Sequence, residues 1–286
     1  MDWKNRREIF RKILHGEKLM HPATVFDPIS ARVAQDLGYE TCLLPGSVAS
    51  MTVLGAPDIM QLTLTEFAGQ ALRISRASHL PMLVDADHGY GNALNVKRTV
   101  EELECAGIAA LTIEDTDLPQ PFGMVGQPRL IPMDEAIGKM RAGLEGRQDK
   151  NLVVVGRTAA KLAPDLADAV ARAKAYEAAG VDALFLAGLD TREQLDGVSD
   201  AISIPIIAGS SSPELFNHDY LQSRGVRICP QPHKSFMASV AAIQKTLKAM
   251  RDGGEPAELA SPDLMKQVTR GADYDRWTDE FLGGKG

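Results

Sequence analysis

The chain has 286 residues, of which 44% are hydrophobic and 24% charged, and these proportions are ordinary for a globular protein. Its net charge of −7 and the lack of a long basic run argue against nucleic acid as a partner. Three widely separated cysteines fit neither a disulfide framework nor a zinc site, which favours a reducing compartment. We expect a cytoplasmic protein with no membrane contact, because the N-terminus lacks a signal-peptide core and no apolar run approaches the roughly 18 residues of a membrane span.

The chain begins with a predicted helix over residues 3–15, in which Trp3, Ile9, Phe10 and Leu14 recur at helical spacing. A repeating unit follows, made of a short apolar run, a polar turn and an amphipathic helix. The apolar runs lie at residues 24–27, 41–44, 82–87, 110–115, 152–158, 183–188, 205–209 and 226–229. The helices are expected at about residues 30–37, 65–78, 95–106, 133–147, 165–179, 235–250 and 262–282.

Eight apolar runs that alternate with helices predict an α/β fold with a parallel sheet and helical crossovers. Eight is also the number of strands that closes a (β/α)8 TIM-type barrel, and the chain length suits one such barrel. An open, doubly wound sheet is the alternative. We expect one barrel domain over residues 1–286, in which about 253–286 form a C-terminal oligomerisation tail. Trp277 and Phe281 lie on the helix of this tail, which we expect to pack on another subunit.

The third apolar run ends in two carboxylates, Asp85 and Asp87, which the glycine-rich turn at 89–91 follows. Side chains two residues apart on a strand point the same way, so both carboxylates project from one strand end. They repel each other unless a cation lies between them, and Mg²⁺ prefers oxygen ligands. Glu114 ends the next run and would complete a set of three carboxylates. The alternative for these acids is a polar strand end that caps a helix or lies at the surface.

Other polar residues end neighbouring runs, and in a barrel the C-terminal ends of the strands carry the active site. The guanidinium of Arg157 is either a clamp on an anionic substrate, which we favour, or a partner of Asp115. Gly46 and Ser47 end the second run, where backbone N–H groups and the hydroxyl could hold a substrate oxygen, with a plain turn as the alternative. His233 follows the eighth run.

Several of these segments together resemble the isocitrate lyase/phosphoenolpyruvate mutase superfamily, over about residues 8–250. The similarity lies in residues 26–32, 46–50, 85–92, 113–115 and 157–158, among which DADHGYGN at 85–92 is a specific signal. The finer resemblance is to the oxaloacetate decarboxylase branch of the superfamily. It lies in residues 93–96, 109–116, 118–119 and 122–123.

This resemblance implies a (β/α)8 barrel that exchanges its last helix between subunits and assembles as a homotetramer, a dimer of dimers. It implies Mg²⁺, with Mn²⁺ as an alternative, near Asp85, Asp87 and Glu114. It also implies a small α-keto diacid as the substrate. The implied substrate-binding residues are Gly46, Ser47, Arg157 and His233, and the implied catalytic residues are Asp58, Arg157 and His233.

Departures from the family pattern narrow the expected reaction. The lyases of the superfamily carry a catalytic cysteine in a loop after the fourth strand, whereas residues 118–123 here read LPQPFG. Residues 210–212, three serines, stand where the decarboxylase branch has a tyrosine, and Gln231-Pro232-His233 replaces an Asn-Gly-His. Because residues 118–123 contain no cysteine, isocitrate or methylisocitrate cleavage is not expected.

The expected reaction is Mg²⁺-dependent decarboxylation of oxaloacetate, or of a 3-substituted oxaloacetate, to pyruvate and CO₂ through a metal-stabilised enolate. One alternative is a carbon–carbon lyase or carbon–phosphorus enzyme of the dimethylmalate lyase, phosphonopyruvate hydrolase or phosphoenolpyruvate mutase type. An alternative of another class is a protein that binds keto acid and metal without turnover.

Overall fold

The structure of the protein, a computed structural model, describes residues 3–210, 212–256 and 258–283. The strands in these residues are β1 (Ala23–Thr24), β2 (Cys42–Leu44), β3 (Met82–Asp85), β4 (Ala110–Glu114), β5 (Val153–Ala159), β6 (Ala183–Leu189), β7 (Ile206–Ser210) and β8 (Val226–Ile228). The helices are α1 (Lys4–Leu14), α2 (Pro28–Asp36), α3 (Gly46–Leu54), α4 (Leu64–Ala77), α5 (Ala93–Cys105), α6 (Met133–Gly146), α7 (Leu166–Ala179), α8 (Arg192–Ser199), α9 (His218–Ser223), α10 (Lys234–Arg251), α11 (Pro262–Thr269) and α12 (Gly271–Leu282).

The strands form one sheet in which each is parallel to its sequence neighbour, from β1 through β8. Met20, just before β1, pairs in parallel with Ile228 of β8, so the sheet closes on itself. Backbone hydrogen bonds from Met20 N to Arg227 O (2.8 Å) and from Cys229 N to Met20 O (2.9 Å) complete this closure. The predicted barrel, rather than the open sheet, is confirmed, and every predicted apolar run overlaps a strand.

Some helices differ from the prediction. Residues 46–54, predicted to begin as a turn, form α3, whose sequence GSVASMTVL has no charged face and therefore no amphipathic period. The helices α8 and α9 were not expected. The closing segment at 262–282 is two helices rather than one, because Arg270 adopts a left-handed backbone conformation (φ 61°) between them.

The apolar core has two layers, because alternate residues of a strand face opposite sides of the sheet. The inner layer fills the barrel and includes Leu83, Val155 and Ile207, whereas the outer layer lies between the strands and the helices. On β3, β4 and β5 the inward-facing positions carry apolar side chains inside the barrel and polar side chains at the strand ends. The core therefore fixes which strand-end residues point into the mouth of the barrel.

Helix α1 closes the opposite end of the barrel. Phe10 and Leu14 are buried in the inner core layer, and burying each such side chain contributes about 2 kcal/mol. The same helix is held by Arg7, whose guanidinium donates to Glu104 O (2.7 Å) and Ile108 O (3.1 Å). The predicted helix over residues 3–15 is confirmed, and it forms the floor of the barrel.

The C-terminal segment after β8 is much less buried than the barrel. In α10 and α12 the described residues include no buried side chain, although both helices carry large apolar residues. In contrast, α11 packs on α2, where Val268 is buried and Arg270 forms an ion pair with Asp36 (2.7 Å). Within the described residues, no helix has both the length and the apolar character required to cross a membrane.

Candidate active site

A cavity of about 870 Å³ opens at the C-terminal ends of the barrel strands. Its lining includes the predicted site residues Ser47, Asp58, Asp85, Asp87, Glu114, Arg157 and His233. Gly46 lies against Asp87, because a Cβ atom placed on this glycine would be 2.6 Å from Oδ1 of the carboxylate. The structure therefore brings all predicted site residues to one place, while their chemical roles remain predictions.

Strand register places the charged residues next to one another. Thr112 is the neighbour of Asp85 across β3 and β4, and Arg157 is the neighbour of Glu114 across β4 and β5. Thr112 and Glu114 are two residues apart, so both face the cavity. The Thr112 hydroxyl donates a hydrogen bond of 2.8 Å to Asp85 Oδ1.

The guanidinium of Arg157 pairs with two of these acids. Its Nη1 lies 2.5 Å from Asp85 Oδ2, and its Nε lies 3.1 Å from Glu114 Oε2. The ring of Phe185 on β6 lies under the guanidinium, 5.3 Å from its Cζ. Neither sequence alternative for Arg157 included these pairs, which depend on the register between strands.

Asp115 N donates a backbone hydrogen bond to Arg157 O (3.2 Å), but the Asp115 carboxylate does not pair with the guanidinium, so that alternative is wrong. Its side chain points out of the barrel, where Oδ2 accepts hydrogen bonds from Tyr176 (2.5 Å) and Arg172 (3.1 Å). Arg172 also donates to Ile131 O (3.1 Å), which ties the network to the end of the loop that follows β4. This buried network is structural and lies behind the cavity wall.

The acids of the cavity are unequal in their proton affinity. Burial, together with Asp85 and Glu114, holds the pKa of Asp87 well above its usual range. Burial raises the pKa of Glu114 to about 7, with Arg157 opposing this and Asp85 adding to it. For Asp85 burial acts in the same direction, but the Arg157 guanidinium and the Thr112 hydroxyl outweigh it and lower the pKa. Burial and Asp85 also raise the pKa of Asp58.

The segment that carries Asp87 has an uncommon backbone. Asp87 and Tyr90 have φ values of 49° and 61°, a left-handed conformation that costs a non-glycine residue about 1–2 kcal/mol. Hydrogen bonds hold this turn, from Glu114 N to Asp87 O (2.8 Å) and from Thr99 Oγ1 to Gly89 O (3.0 Å). The strain is therefore stored at the carboxylate that has the least favourable charge environment.

The donor set fits a divalent cation, although it is not a preformed shell. No cluster of three or more His, Cys, Asp or Glu side chains in the described part of the chain has the arrangement of a metal site. However, Asp58, Asp85, Asp87 and Glu114 share the cavity with Arg157, which pairs with only two of them. Mg²⁺ binds through one or two carboxylates and retains several waters, so it requires no closed protein shell. An additional positive charge would offset the repulsion that raises the pKa of Asp87.

Two further groups approach the cavity from other strands. Ser47 lies in the first turn of α3, and the N-terminus of a helix favours anions because its first N–H groups have no partner within the helix. His233 follows β8, and its Nδ1 lies 3.2 Å from the hydroxyl of Thr24. Burial lowers the pKa of His233, so its imidazole is neutral near pH 7. Ser210 lines the cavity, whereas Ser211 lies outside the described residues.

Sequence reasoning missed several residues of the cavity wall. Thr112 and Phe185 could have been found by counting two residues back from Glu114 and by following the inward register of β6. Lys161 follows β5 and lines the cavity, with its aliphatic stem over Gly188. Gln231 also lines the cavity.

A barrel that gathers acidic side chains and one arginine at its strand ends is typical of enzymes that act on small anionic substrates. Comparison with known families makes this class specific. The phosphoenolpyruvate phosphomutase family matches residues 10–251, so the chain belongs to that family. The predicted membership of the phosphoenolpyruvate mutase/isocitrate lyase superfamily is thereby confirmed.

Individual relatives cover the whole chain. An oxaloacetate decarboxylase from Rhodopseudomonas palustris (strain BisA53) is 53% identical over 100% of this chain and 99% of its own length. An oxaloacetate decarboxylase from Bradyrhizobium sp. (strain BTAi1) is 51% identical over 99% of both chains. Among solved structures, oxaloacetate acetylhydrolase with 3,3-difluorooxalacetate is 25% identical, with a TM-score of 0.86 over 99% of both chains. Phosphonopyruvate hydrolase with oxalate and Mg²⁺ is 23% identical, with a TM-score of 0.87 over 97% of this chain and 99% of that chain.

Proposed function

We propose that this protein is an oxaloacetate decarboxylase that requires a divalent cation and releases pyruvate and CO₂. The observation that carries the proposal is the unbalanced charge of the cavity, where four carboxylates meet only two cationic side chains among the described lining residues, Arg157 and Lys161, beside the N-terminus of α3. Full-length similarity to oxaloacetate decarboxylases supports the choice of substrate. A 3-substituted oxaloacetate is included in the proposal, because the cavity of about 870 Å³ has room beyond a four-carbon acid.

The keto-acid end of the substrate is assigned to Arg157 and the first turn of α3. The contacts of Arg157 with Asp85 and Glu114 use Nη1 and Nε, which leaves Nη2 for a substrate carboxylate. Backbone N–H groups beside Gly46 and the Ser47 hydroxyl supply further donors, as helix N-termini do for anions. His233 lines the same cavity from the loop after β8. These donors would orient the substrate so that its distal carboxylate lies toward the apolar part of the cavity wall, which includes Ile59, Met60 and Leu118.

The residues proposed to hold the cation are Asp85, Asp87 and Glu114, with water completing its shell. Mg²⁺, or Mn²⁺ in its place, would supply Lewis-acid stabilisation of negative charge on the keto oxygen of the substrate. Thr112 and Arg157 hold Asp85 in its ionised form, ready to act as a ligand. No protein nucleophile is required, in agreement with the sequence LPQPFG after β4.

In the proposed reaction the bond between C3 and C4 breaks and C4 leaves as CO₂. The electron pair remains on C3 and delocalises onto the C2 oxygen, and a proton then adds to C3 to give pyruvate. Apolar residues that line the cavity, including Ile59, Met60 and Leu118, give the leaving carboxylate few polar partners. Poor solvation of that carboxylate favours its conversion to neutral CO₂.

Two residues that line the cavity, Asp58 and His233, are the candidates for delivering the proton. Asp58 has a raised pKa, so it holds a proton to higher pH than an exposed aspartate does. His233 is neutral near pH 7 and can relay a proton from water. Asp58→Asn and His233→Gln each remove one route. The variant with the larger loss of kcat at an unchanged KM identifies the donor.

The proposal is tested with a panel of α-keto diacids in the presence of Mg²⁺, with CO₂ and pyruvate measured together. Equal amounts of CO₂ and pyruvate from oxaloacetate are expected, and Asp87→Ala should abolish their release. Aldol-type cleavage products from a dimethylmalate-like hydroxy acid, assayed beside the panel, would indicate the carbon–carbon lyase alternative. Inorganic phosphate from phosphonopyruvate would indicate the carbon–phosphorus alternative. Tight oxalate binding without turnover of any member of the panel would replace the proposal with the binding-protein alternative.

We further propose a cytoplasmic homotetramer, a dimer of dimers, with one barrel domain per chain and residues 253–286 as its oligomerisation tail. The exposed apolar side chains of α10 and α12 support this, because Ile243, Leu247 and Phe281 are each more than half exposed in the single chain. Contiguous apolar surface of this kind is typical of a subunit interface. Part of the tail contacts its own barrel, since α11 packs on α2.

A further inference from the structure

Helix α6 carries a lysine that is buried beside the turn after β3, which carries Asp87, rather than exposed on the helix surface. Lys139 is 4% exposed, and its Nζ donates a hydrogen bond of 3.1 Å to the backbone carbonyl of His88. Lysine is rarely buried to this extent, because removing an ammonium group from water is costly. A buried lysine that contacts a backbone carbonyl next to Asp87 therefore requires a specific explanation.

The surroundings of Lys139 are acidic. Glu135 on its own helix and Asp117, Glu114 and Asp115 around the end of β4 all favour its charged form, against the burial that lowers its pKa. Lys139 thus donates to the turn after β3, in a setting where the acids around the end of β4 favour its positive charge. It places a positive charge behind the cavity wall and a donor on the loop.

Close packing fixes the position of this lysine. A Cβ atom on Gly146 of α6 would be 2.5 Å from Lys97 O of α5, so the two helices approach to a distance that only glycine allows. Gly143 of α6 also faces Val96 of α5. The turn after β3 packs on the same helix, since a Cβ atom on Gly89 would be 2.5 Å from Val96 Cγ2. Helix α5 therefore holds both α6 and the turn, and Lys139 bridges them.

The turn that receives this hydrogen bond is the strained one. Asp87 and Tyr90 are in the left-handed region, and Gly89 between them has a φ of 77°. The carbonyls of Asp87 and Gly89 are held by Glu114 N and Thr99 Oγ1, and that of His88 by Lys139. Three consecutive carbonyls are thus fixed by three different elements, and Lys139 supplies the charge-assisted bond.

We propose that Lys139 is a positioning residue that keeps the Asp87 carboxylate in the cavity by holding the His88 carbonyl. Loss of this bond would let the turn relax and move Asp87 away from Asp85. The inference rests on the proposed divalent-cation site, and it holds whatever the substrate is. Residues that orient a metal ligand typically alter affinity by about 10- to 100-fold when replaced.

The direct test is Mn²⁺ binding, measured from the electron paramagnetic resonance signal of free Mn²⁺, in wild type, Lys139→Met and Lys139→Arg. We expect an affinity at least about tenfold lower in Lys139→Met, and a smaller loss in Lys139→Arg, whose guanidinium can still donate to the carbonyl. The matched control is Lys97→Met on α5, which removes an exposed lysine paired with Glu101 and should leave the affinity unchanged. If Lys139→Met does not fold, Lys139→Gln replaces it, with a loss larger than that of Lys139→Arg expected, because its shorter neutral amide cannot supply the charge-assisted bond.

A double-mutant cycle separates positioning from a general loss of structure. If Lys139 acts through Asp87, then Lys139→Met should weaken Mn²⁺ binding no further in an Asp87→Ala background. Additive losses, or an affinity for the Lys139 variants within twofold of wild type, would overturn the inference. Equal Mn²⁺ binding by wild type and Asp87→Ala would instead refute the proposed metal site itself, so the two failures are distinguishable.

Discussion

The guanidinium of Arg157 lies 2.5 Å from the carboxylate of Asp85, within the mouth of the barrel. The pair is largely buried, with each side chain 20% exposed. Arg157 thereby neutralises acids that a cation is proposed to share. Arg157 is therefore expected to stabilise the metal-free protein in addition to its proposed role in binding the substrate carboxylate.

Arg157→Gln should therefore destabilise the metal-free protein. Removing one partner of a buried ion pair costs about 3–5 kcal/mol, because the other charge remains buried without compensation. Thermal unfolding in a chelator should show a Tm lower by roughly 10 °C. The control is Arg129→Gln, which breaks an exposed pair with Asp117 and should cost less than about 1 kcal/mol. Equal shifts in the two variants would contradict the buried pairing.

The stability of the metal-free protein should also depend on Glu114 as the pH changes. Burial raises the pKa of Glu114 from 4.5 to about 7. The folded protein binds this proton more tightly than the unfolded chain, so its stabilisation is complete below pH 4.5 and is lost as the pH rises to 7. Glu114→Gln stays neutral, so its Tm relative to wild type should increase by a few degrees between about pH 5 and pH 8. A Tm difference that does not vary with pH would count against the raised pKa.

Gly46 should be intolerant of even one added carbon atom. A Cβ atom at this position would lie 2.6 Å from Asp87 Oδ1, which is too close for the carboxylate to keep its place. Gly46→Ala should push the carboxylate aside and lower Mn²⁺ affinity by about tenfold. Gly138→Ala in α6 is the matched control, since in the described residues nothing lies within 4 Å of the added Cβ. That variant should bind Mn²⁺ normally and gain about 0.5–1 kcal/mol of stability. Normal binding by both variants would exclude a role for the close approach.

Lys161 should affect substrate capture more than turnover. It lines the cavity after β5, and its side chain is exposed, so its charge attracts a dianion without contacting the reacting bond. Lys161→Gln should raise KM for oxaloacetate by roughly threefold to tenfold, with kcat within about twofold and a weaker dependence on salt. Lys150→Gln, in the turn at the other end of β5, should leave these values unchanged. A fall in kcat alone would instead place Lys161 in the chemical step.

The apolar face of α10 should determine the size of the assembly. Ile243 and Leu247 are 58% and 61% exposed in the single chain. Replacing both with glutamate should give a smaller species in sedimentation velocity, because buried unpaired charge opposes association. Gln244→Glu introduces one negative charge beside them without removing an apolar side chain, and it should leave the assembly intact. An unchanged size for the double variant would refute the proposed interface.

Much of the fold can be predicted from the sequence because each strand of a parallel barrel is a nearly continuous apolar run. Valine-rich runs such as 152–155 predict buried strands whatever the rest of the chain does. Helix α3 escaped prediction, because a helix without charged residues shows no amphipathic period of 3.6 residues, whether its side chains are buried, as at Val48, or exposed, as at Leu54. Arg270 divides the closing helix, and nothing in its residue type indicates a left-handed conformation.

The candidate site was predictable as a set of residues, but not as a set of contacts. Strand ends such as Asp85 and Glu114 meet in any barrel with this order of strands. The pairing of Arg157 with both acids depends on the register between β4 and β5, which spacing along the chain does not determine. Lys139 is further from prediction still, since its burial depends on how closely α6 approaches α5.

Because α1 closes one end of the barrel, it limits the routes by which substrate and products can move. Phe10 and Leu14 fill one end of the barrel, so substrate and products pass through the opening at the other end. In the proposed reaction both products, CO₂ and pyruvate, must leave before the next molecule of oxaloacetate can bind. Residues around that opening would then affect the rate of product release as well as the rate of substrate binding.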